Sequence, residues 1–208
     1  MRVNRGSSLI PLFLDLEGKS AVVYGAGPVG VRKASYLARE ARVTMVDRHA
    51  AVVPEGVHLI IGEAMDNLDL IESADIVVAA TGDPKVDDEI TRKAAGLGKM
   101  LNRADRPGNF LIPSLIWRRN FTVAISTMGR SPGMSQHIKG VIDSSLPSVL
   151  EDMVDLTERL REQLKRSVPE AAEREGRVRR ILEDPEVWKV LETDPGKAFE
   201  LAVMKVMG

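Results

Sequence analysis

The chain has 208 residues, 28% of them charged and 44% apolar, and a formal net charge of −1. That is the make-up of one or two globular domains, and so balanced a charge gives no reason to expect nucleic acid as a partner. There is no cysteine, which excludes disulfides, thiolate metal sites and a cysteine nucleophile. No apolar run reaches the roughly 18 residues of a membrane span. The N-terminal stretch Met1–Leu16 holds two arginines and a short apolar patch, Leu9–Leu14, with Pro11 inside it and Asp15 directly after. It reads as part of the fold and not as a signal segment, which makes the cytoplasm the expected compartment.

The first predicted strand, Ser20–Tyr24, runs into Gly25-Ala26-Gly27-Pro28-Val29-Gly30 and then a helical stretch, Val29–Glu40. This is G-x-G-x-x-G between a strand and a helix. Gly25 suits the tight turn, Gly27 lets the backbone approach a pyrophosphate, and Gly30 lets helix and strand pack closely. The free N–H groups and positive dipole end of the helix favour phosphate. A second strand, Val43–Val46, leads directly to Asp47, 17 positions beyond Gly30. A carboxylate there binds a ribose 2′-hydroxyl and favours NAD over NADP, although the adjacent Arg48 and His49 soften that exclusion.

Further strands are predicted at His58–Ile61, Ile76–Ala80 and Lys99–Leu101, separated by helical stretches at Asp66–Glu72 and Val86–Leu97. Short runs rich in valine and isoleucine suit strands buried on both faces, and the alternation implies right-handed βαβ units with a parallel sheet. The pattern then changes. Phe110–Ile112 and Phe121–Ser126 read as strands, followed by a Gly/Ser/Pro-rich turn, Thr127–Gly133. From Met134 onward the signals are helical, with breaks near Pro147, Pro169, Pro185 and Pro195. Leu146, Val149, Leu150, Met153, Leu156 and Leu160 share one helical face. The expected fold is α/β: a Rossmann-type parallel sheet domain over 1–112, a dimerisation segment over 113–146 and a helical C-terminal domain over 147–208.

Between Lys99 and Lys139 seven bases (Lys99, Arg103, Arg106, Arg118, Arg119, Arg130 and Lys139) face a single acid, Asp105. A cluster so one-sided is expected to focus positive potential on an anionic ligand, and guanidinium forks suit carboxylates. Asp105 follows a strand end, where open α/β sheets bind ligands. Surrounded by arginines it should stay ionised, able to accept a proton or to orient a protonated ring nitrogen.

These residues resemble the precorrin-2 dehydrogenases, or sirohydrochlorin synthases, including the bifunctional dehydrogenase–ferrochelatases. The resemblance runs from Leu9 to about Leu150. It is carried in order by Leu12–Lys19, by Gly25-Ala26-Gly27-Pro28-Val29 followed by Arg32-Lys33-Ala34, and by Ala79-Ala80-Thr81-Gly82-Asp83. The series continues with Asn102-Arg103-Ala104-Asp105-Arg106-Pro107, Phe110–Ser114 and Ala124-Ile125-Ser126-Thr127-x-Gly129-x-Ser131-Pro132. It implies NAD-dependent oxidation of precorrin-2, a tetrapyrrole with many acetate and propionate arms, to sirohydrochlorin. It implies Asp105 as the catalytic residue, acting as base or proton relay. It implies a cofactor lined by Gly25, Gly27, Pro28, Val29, Gly30, Asp47, Arg48, His49, Thr81 and Gly82. The substrate would meet Asn102, Arg103, Arg106, Thr127, Arg130 and Ser131. A homodimer follows from the same resemblance, with Leu115, Ile116 and Trp117 suited to its interface.

The sequence departs from the family pattern at Gly30, Met128, Arg130 and Ser135-Gln136-His137. His137 is expected on a helix surface, and no set of metal ligands is evident. Two alternatives stand beside the dehydrogenase. One adds insertion of ferrous iron into the product. The other is a non-catalytic NAD-sensing module, which would need neither the Asn-x-x-Asp nor the Ser-Pro motif.

Overall fold

The computed structural model describes residues 9–207. Met1–Ser8, which carry the two arginines of the N-terminal stretch, and Gly208 lie outside the described residues. Strands β1 (Ser20–Tyr24), β2 (Arg42–Asp47), β3 (His58–Ile61), β4 (Ile76–Ala79) and β5 (Met100–Arg103) form one parallel sheet in the order β3-β2-β1-β4-β5. From β1 the chain winds outward through β2 and β3. It then returns to lay β4 on the other side of β1, which places the crossover reversal between those two strands.

Both faces of the sheet are covered, which is why its strands read as unbroken apolar runs. Ala21, Val23, Val43, Met45, Ile76 and Val78 turn toward α1 (Pro28–Leu37) and its Ala34 and Leu37. The alternate residues Val22, Tyr24, Val46, Val77, Ala79 and Leu101 turn to the opposite face. There they meet Ile71 of α2 (Leu70–Ser73) and Ile90 and Ala94 of α3 (Pro84–Gly96).

Three expectations are corrected. The helix expected over Asp66–Glu72 is a 3-10 turn, Met65–Asn67, followed by the single-turn α2. β5 runs two residues beyond Leu101, because Asn102 and Arg103 are buried by polar partners that an apolar pattern cannot show. Phe110–Ile112 is not a strand. Asn109 accepts the N–H of Leu101 at 2.7 Å and donates to the Lys99 carbonyl at 2.8 Å, and Phe110 packs beneath the sheet. The strand begins at the next residues as β6 (Ser114–Trp117), antiparallel to β7 (Thr122–Ile125). The apolar N-terminal patch is irregular, and its Ile10, Leu12 and Phe13 are exposed.

The chain divides into two compact units, Met1–Ile112 with Met128–Arg130, and Pro113–Thr127 with Ser131–Gly208. The second holds the β6–β7 hairpin, α4 (Pro132–Ser145), α5 (Val149–Ser167), α6 (Ala171–Leu182), α7 (Pro185–Leu191) and α8 (Pro195–Met207). Met153, Leu156, Leu160 and Leu164 form the buried stripe of α5, against Val178, Ile181, Val187, Leu191, Ala198 and Ala202. Leu146, expected on that stripe, instead ends α4. Helices α1, α3, α4, α7 and α8 each begin on a proline, where its missing N–H would have had no helical partner.

Candidate active site at the carboxyl edge of the sheet

The turn from β1 into α1 depends on its glycines. Gly25 has φ +101°, and a Cβ there would collide with the Ala80 backbone at the end of β4. A Cβ on Gly30 would strike the Gly25 carbonyl. At Gly27 a Cβ would meet nothing within 4 Å, so its outer side is open to a ligand. A cavity of about 380 Å³ lies here. Gly25, Gly27, Pro28 and Val29 form one wall, Asp47, Arg48 and His49 a second, and Thr81 with Gly82 a third. Gly30 lies beneath, buried. Glu63, Asp83 and Val86 also line it; Asp83 closes the Ala79–Asp83 motif, while no motif had pointed to Glu63 or Val86.

Asp47 ties two walls together. One carboxylate oxygen accepts the Ala26 N–H at 2.6 Å and the other the His49 N–H at 2.9 Å. Burial alone would raise its pKa, but these two donors, helped by the His49 and Arg48 charges, hold it below the usual range. With two of a carboxylate's roughly four acceptor positions used, the rest remain for a ribose diol. Arg48 leans toward Glu63 at 4.0 Å. The third wall is fixed by buried Asp87, which accepts both the Thr81 N–H (3.1 Å) and hydroxyl (2.7 Å). The only sequence signal for Asp87 was an acid in the first turn of a helix, which is too common to single it out.

At the carboxyl tip of β5 the side chains split between the two faces of the sheet. Arg103, 2% exposed, turns toward α3. Its Nε and Nη2 grip both oxygens of Asp105 at 2.9 Å each, while Nη1 donates to Asp88 (2.6 Å) and Thr91 (2.9 Å). Arg106 joins the same two carboxylates, Asp88 at 2.8 Å and Asp105 at 3.3 Å. The bidentate Arg103 fork is the main reason that Asp105 falls to about 2, against an opposing effect of burial. Asn102 turns toward α1, where it accepts from the Lys33 ammonium and donates to the Phe110 carbonyl at 3.0 Å. Asp105 does not line the 380 Å³ cavity; it stands further along the same edge.

Within each unit, five of the seven bases meet partners outside this stretch of sequence. Arg103 and Arg106 pair with Asp88, and Lys99 donates to the Glu72 carbonyl at 2.8 Å. In the second unit Arg118 pairs with Asp143, and Arg119 with Asp152 and Asp155 at 3.2 and 2.7 Å. Also there, Thr127 and Ser131 are brought together: the Thr127 hydroxyl donates to the Ser131 carbonyl (2.9 Å) and accepts its N–H (3.0 Å). Arg130 and His137 are exposed. No group of three His, Asp or Glu able to hold a metal occurs among the described residues.

Residues 12–114 match the family model described as "Putative NAD(P)-binding". A precorrin-2 dehydrogenase of Methanosarcina barkeri is 31% identical over 96% of this chain and 94% of its own length. The chain belongs to the precorrin-2 dehydrogenase family. Siroheme synthases of Thioalkalivibrio sulfidiphilus and Pseudomonas putida are 32% and 26% identical, but this chain spans only 37% and 44% of their lengths. The family fold is seen in the solved structure of SirC, a precorrin-2 dehydrogenase, at TM-score 0.72, 20% identity and 96% coverage of this chain.

Proposed function

We propose that this chain oxidises precorrin-2 to sirohydrochlorin, with NAD⁺ as the hydride acceptor and one proton released. The observation that carries the reading is a dinucleotide cradle at the turn after β1, paired with a clamped carboxylate at the tip of β5 on the same sheet edge, in a chain of this family. NAD⁺ supplies the redox chemistry. The α1 N-terminus and the open side of Gly27 would hold its pyrophosphate, and Asp47 a ribose diol. Thr81, fixed by Asp87, would shape the wall beyond.

Asp105 is a poor base. With both oxygens held by Arg103 and a pKa near 2, it stays anionic and gains little by accepting a proton at neutral pH. Its role in this reading is a fixed negative charge. Loss of hydride leaves the macrocycle cationic until a proton departs, and a preorganised anion stabilises that charge as it develops. Arg103 positions the carboxylate, and is not the outward grip on substrate that its place in a basic run suggested.

Asp105→Ala is expected to lower precorrin-2 oxidation by about 100-fold or more while NAD⁺ affinity is kept. Anaerobic incubation with precorrin-2 and NAD⁺, followed by the product's visible spectrum, reads the first effect. Turnover retained in that variant removes Asp105 from catalysis. The siroheme synthases among the relatives favour a second activity, insertion of ferrous ion into the product, which an anaerobic assay with ferrous or cobalt ion checks. We place the protein in the cytoplasm as a homodimer built on residues 113–146; of the expected Leu115, Ile116 and Trp117, Ile116 is buried within its own unit and Trp117 is exposed, with Met134 and Val141 as further exposed apolar residues; light scattering measures the assembly.

A further inference from the structure

Two cations on the glycine-loop helix have no role in the reading above. Lys33 reaches from α1 to the tip of β5, where its ammonium donates to the Asn102 side-chain oxygen and to the Arg103 carbonyl at 3.1 Å. Both acceptors are neutral. Arg32, next to it, is exposed. Among the described residues neither has a carboxylate within ion-pair distance, and the charge that bears on Lys33 is the Arg32 guanidinium, a like charge. The buried side chains of β1, β2 and β4 packed beneath α1, Ala21, Val23, Val43, Met45, Ile76 and Val78, are apolar.

The contrast with the rest of this strand end decides what the pair is for. Arg103, Arg106, Asp88 and Asp105 form a quartet with two charges of each sign. Beside that neutral group stands a half-buried ammonium without a counter-ion. Burial, then Arg32, bring its pKa down to about 8. A partly desolvated cation held by neutral oxygens gains most from an incoming anion. The anion is not the nucleotide phosphate, since Lys33 does not line the cradle and is anchored at β5.

We infer that Lys33, with Arg32 beside it, is a carboxylate-binding subsite for an acidic arm of the tetrapyrrole substrate. This deepens the dehydrogenase reading and rests on it. It adds two residues outside the segment from Lys99 to Lys139 to the grip expected there.

Steady-state oxidation of precorrin-2 with the full chain tests the subsite. One charge-assisted contact predicts a KM for precorrin-2 raised about 10- to 100-fold in Lys33→Met, with a smaller change in kcat and the KM for NAD⁺ unmoved. Lys33→Arg restores most of the loss, and Arg32→Gln raises the same KM by a smaller factor. A second measurement does not need Lys33→Met to fold. Binding of uroporphyrin, an octacarboxylate tetrapyrrole, to the unmutated protein is followed by fluorescence at pH 7 and 9.5. Guanidinium groups keep their charge in that range, and Lys33→Arg separates the ammonium from any other titrating group. Affinity is expected to fall about 10-fold as Lys33 loses its proton, and to hold steady in Lys33→Arg. An unchanged precorrin-2 KM in Lys33→Met, a raised KM for NAD⁺ alone, or uroporphyrin affinity indifferent to pH would each overturn the inference. Failure of the unmutated protein to oxidise precorrin-2 at all would instead overturn the functional reading.

Discussion

The middle and one end of the ligand-facing sheet edge are built from different materials. After β1 the site is backbone: glycines that admit no Cβ, an open helix terminus and amides that hold Asp47. After β5 it is side chains: a guanidinium buried to 2% exposure, two carboxylates and a second arginine. The first kind follows from local chain geometry and so appears as a contiguous motif. The second needs partners such as Asp88 and Thr91, 15 and 12 residues away, and appears in no local pattern.

That contrast predicts unequal sensitivity. The largest effect is expected in the backbone part. Gly30→Ala drives a methyl group into the Gly25 carbonyl and should cost about 3 kcal/mol or more, abolishing NAD⁺ binding; chemical denaturation and calorimetry measure both. Arg103→Met leaves Asp105 and Asp88 without their main partner. A fully buried broken pair costs about 3–5 kcal/mol, but these carboxylates are 39% and 53% exposed, so roughly 2 kcal/mol is expected. If Arg103→Met proved as damaging as Gly30→Ala, the two regions would not differ as argued. Asp47→Asn loses the charge of a carboxylate that holds two amides, for about 1 kcal/mol of stability. It should also raise NADP⁺ affinity relative to NAD⁺ by about 10-fold, read by comparing KM values. The smallest effect on stability is at Asp105→Asn. The folded pKa lies below the unfolded one, so the carboxylate stabilises above about pH 4 and that contribution fades as pH falls toward 2. Its exposure limits the contribution to under about 1 kcal/mol, so the variant's melting temperature should converge on the parent's in acid.

The sheet was legible because its central strands are buried on both faces; Ser20–Tyr24 ends where its apolar run ends. Phe110–Ile112 misled because an apolar run can pack under a sheet as a loop once Asn109 has satisfied the neighbouring backbone. The arginine count misled for a related reason. Composition along a segment cannot see Asp143, Asp152 and Asp155, which fold back onto Arg118 and Arg119 from later helices. Arg32-Lys33 stood within a recognised motif, yet its meaning rests on the absence of a neighbouring acid among the described residues, which only three dimensions show.

Among the described residues five helices open on proline, and this bears on how such a chain tolerates change. The ring disfavours helical geometry in the residue before it, so none of these helices can creep backward when a preceding connection is lengthened or trimmed. An insertion before Pro28 or Pro84 would swell as slack on the surface, while each helix kept its starting point and whatever its first turn presents to solvent.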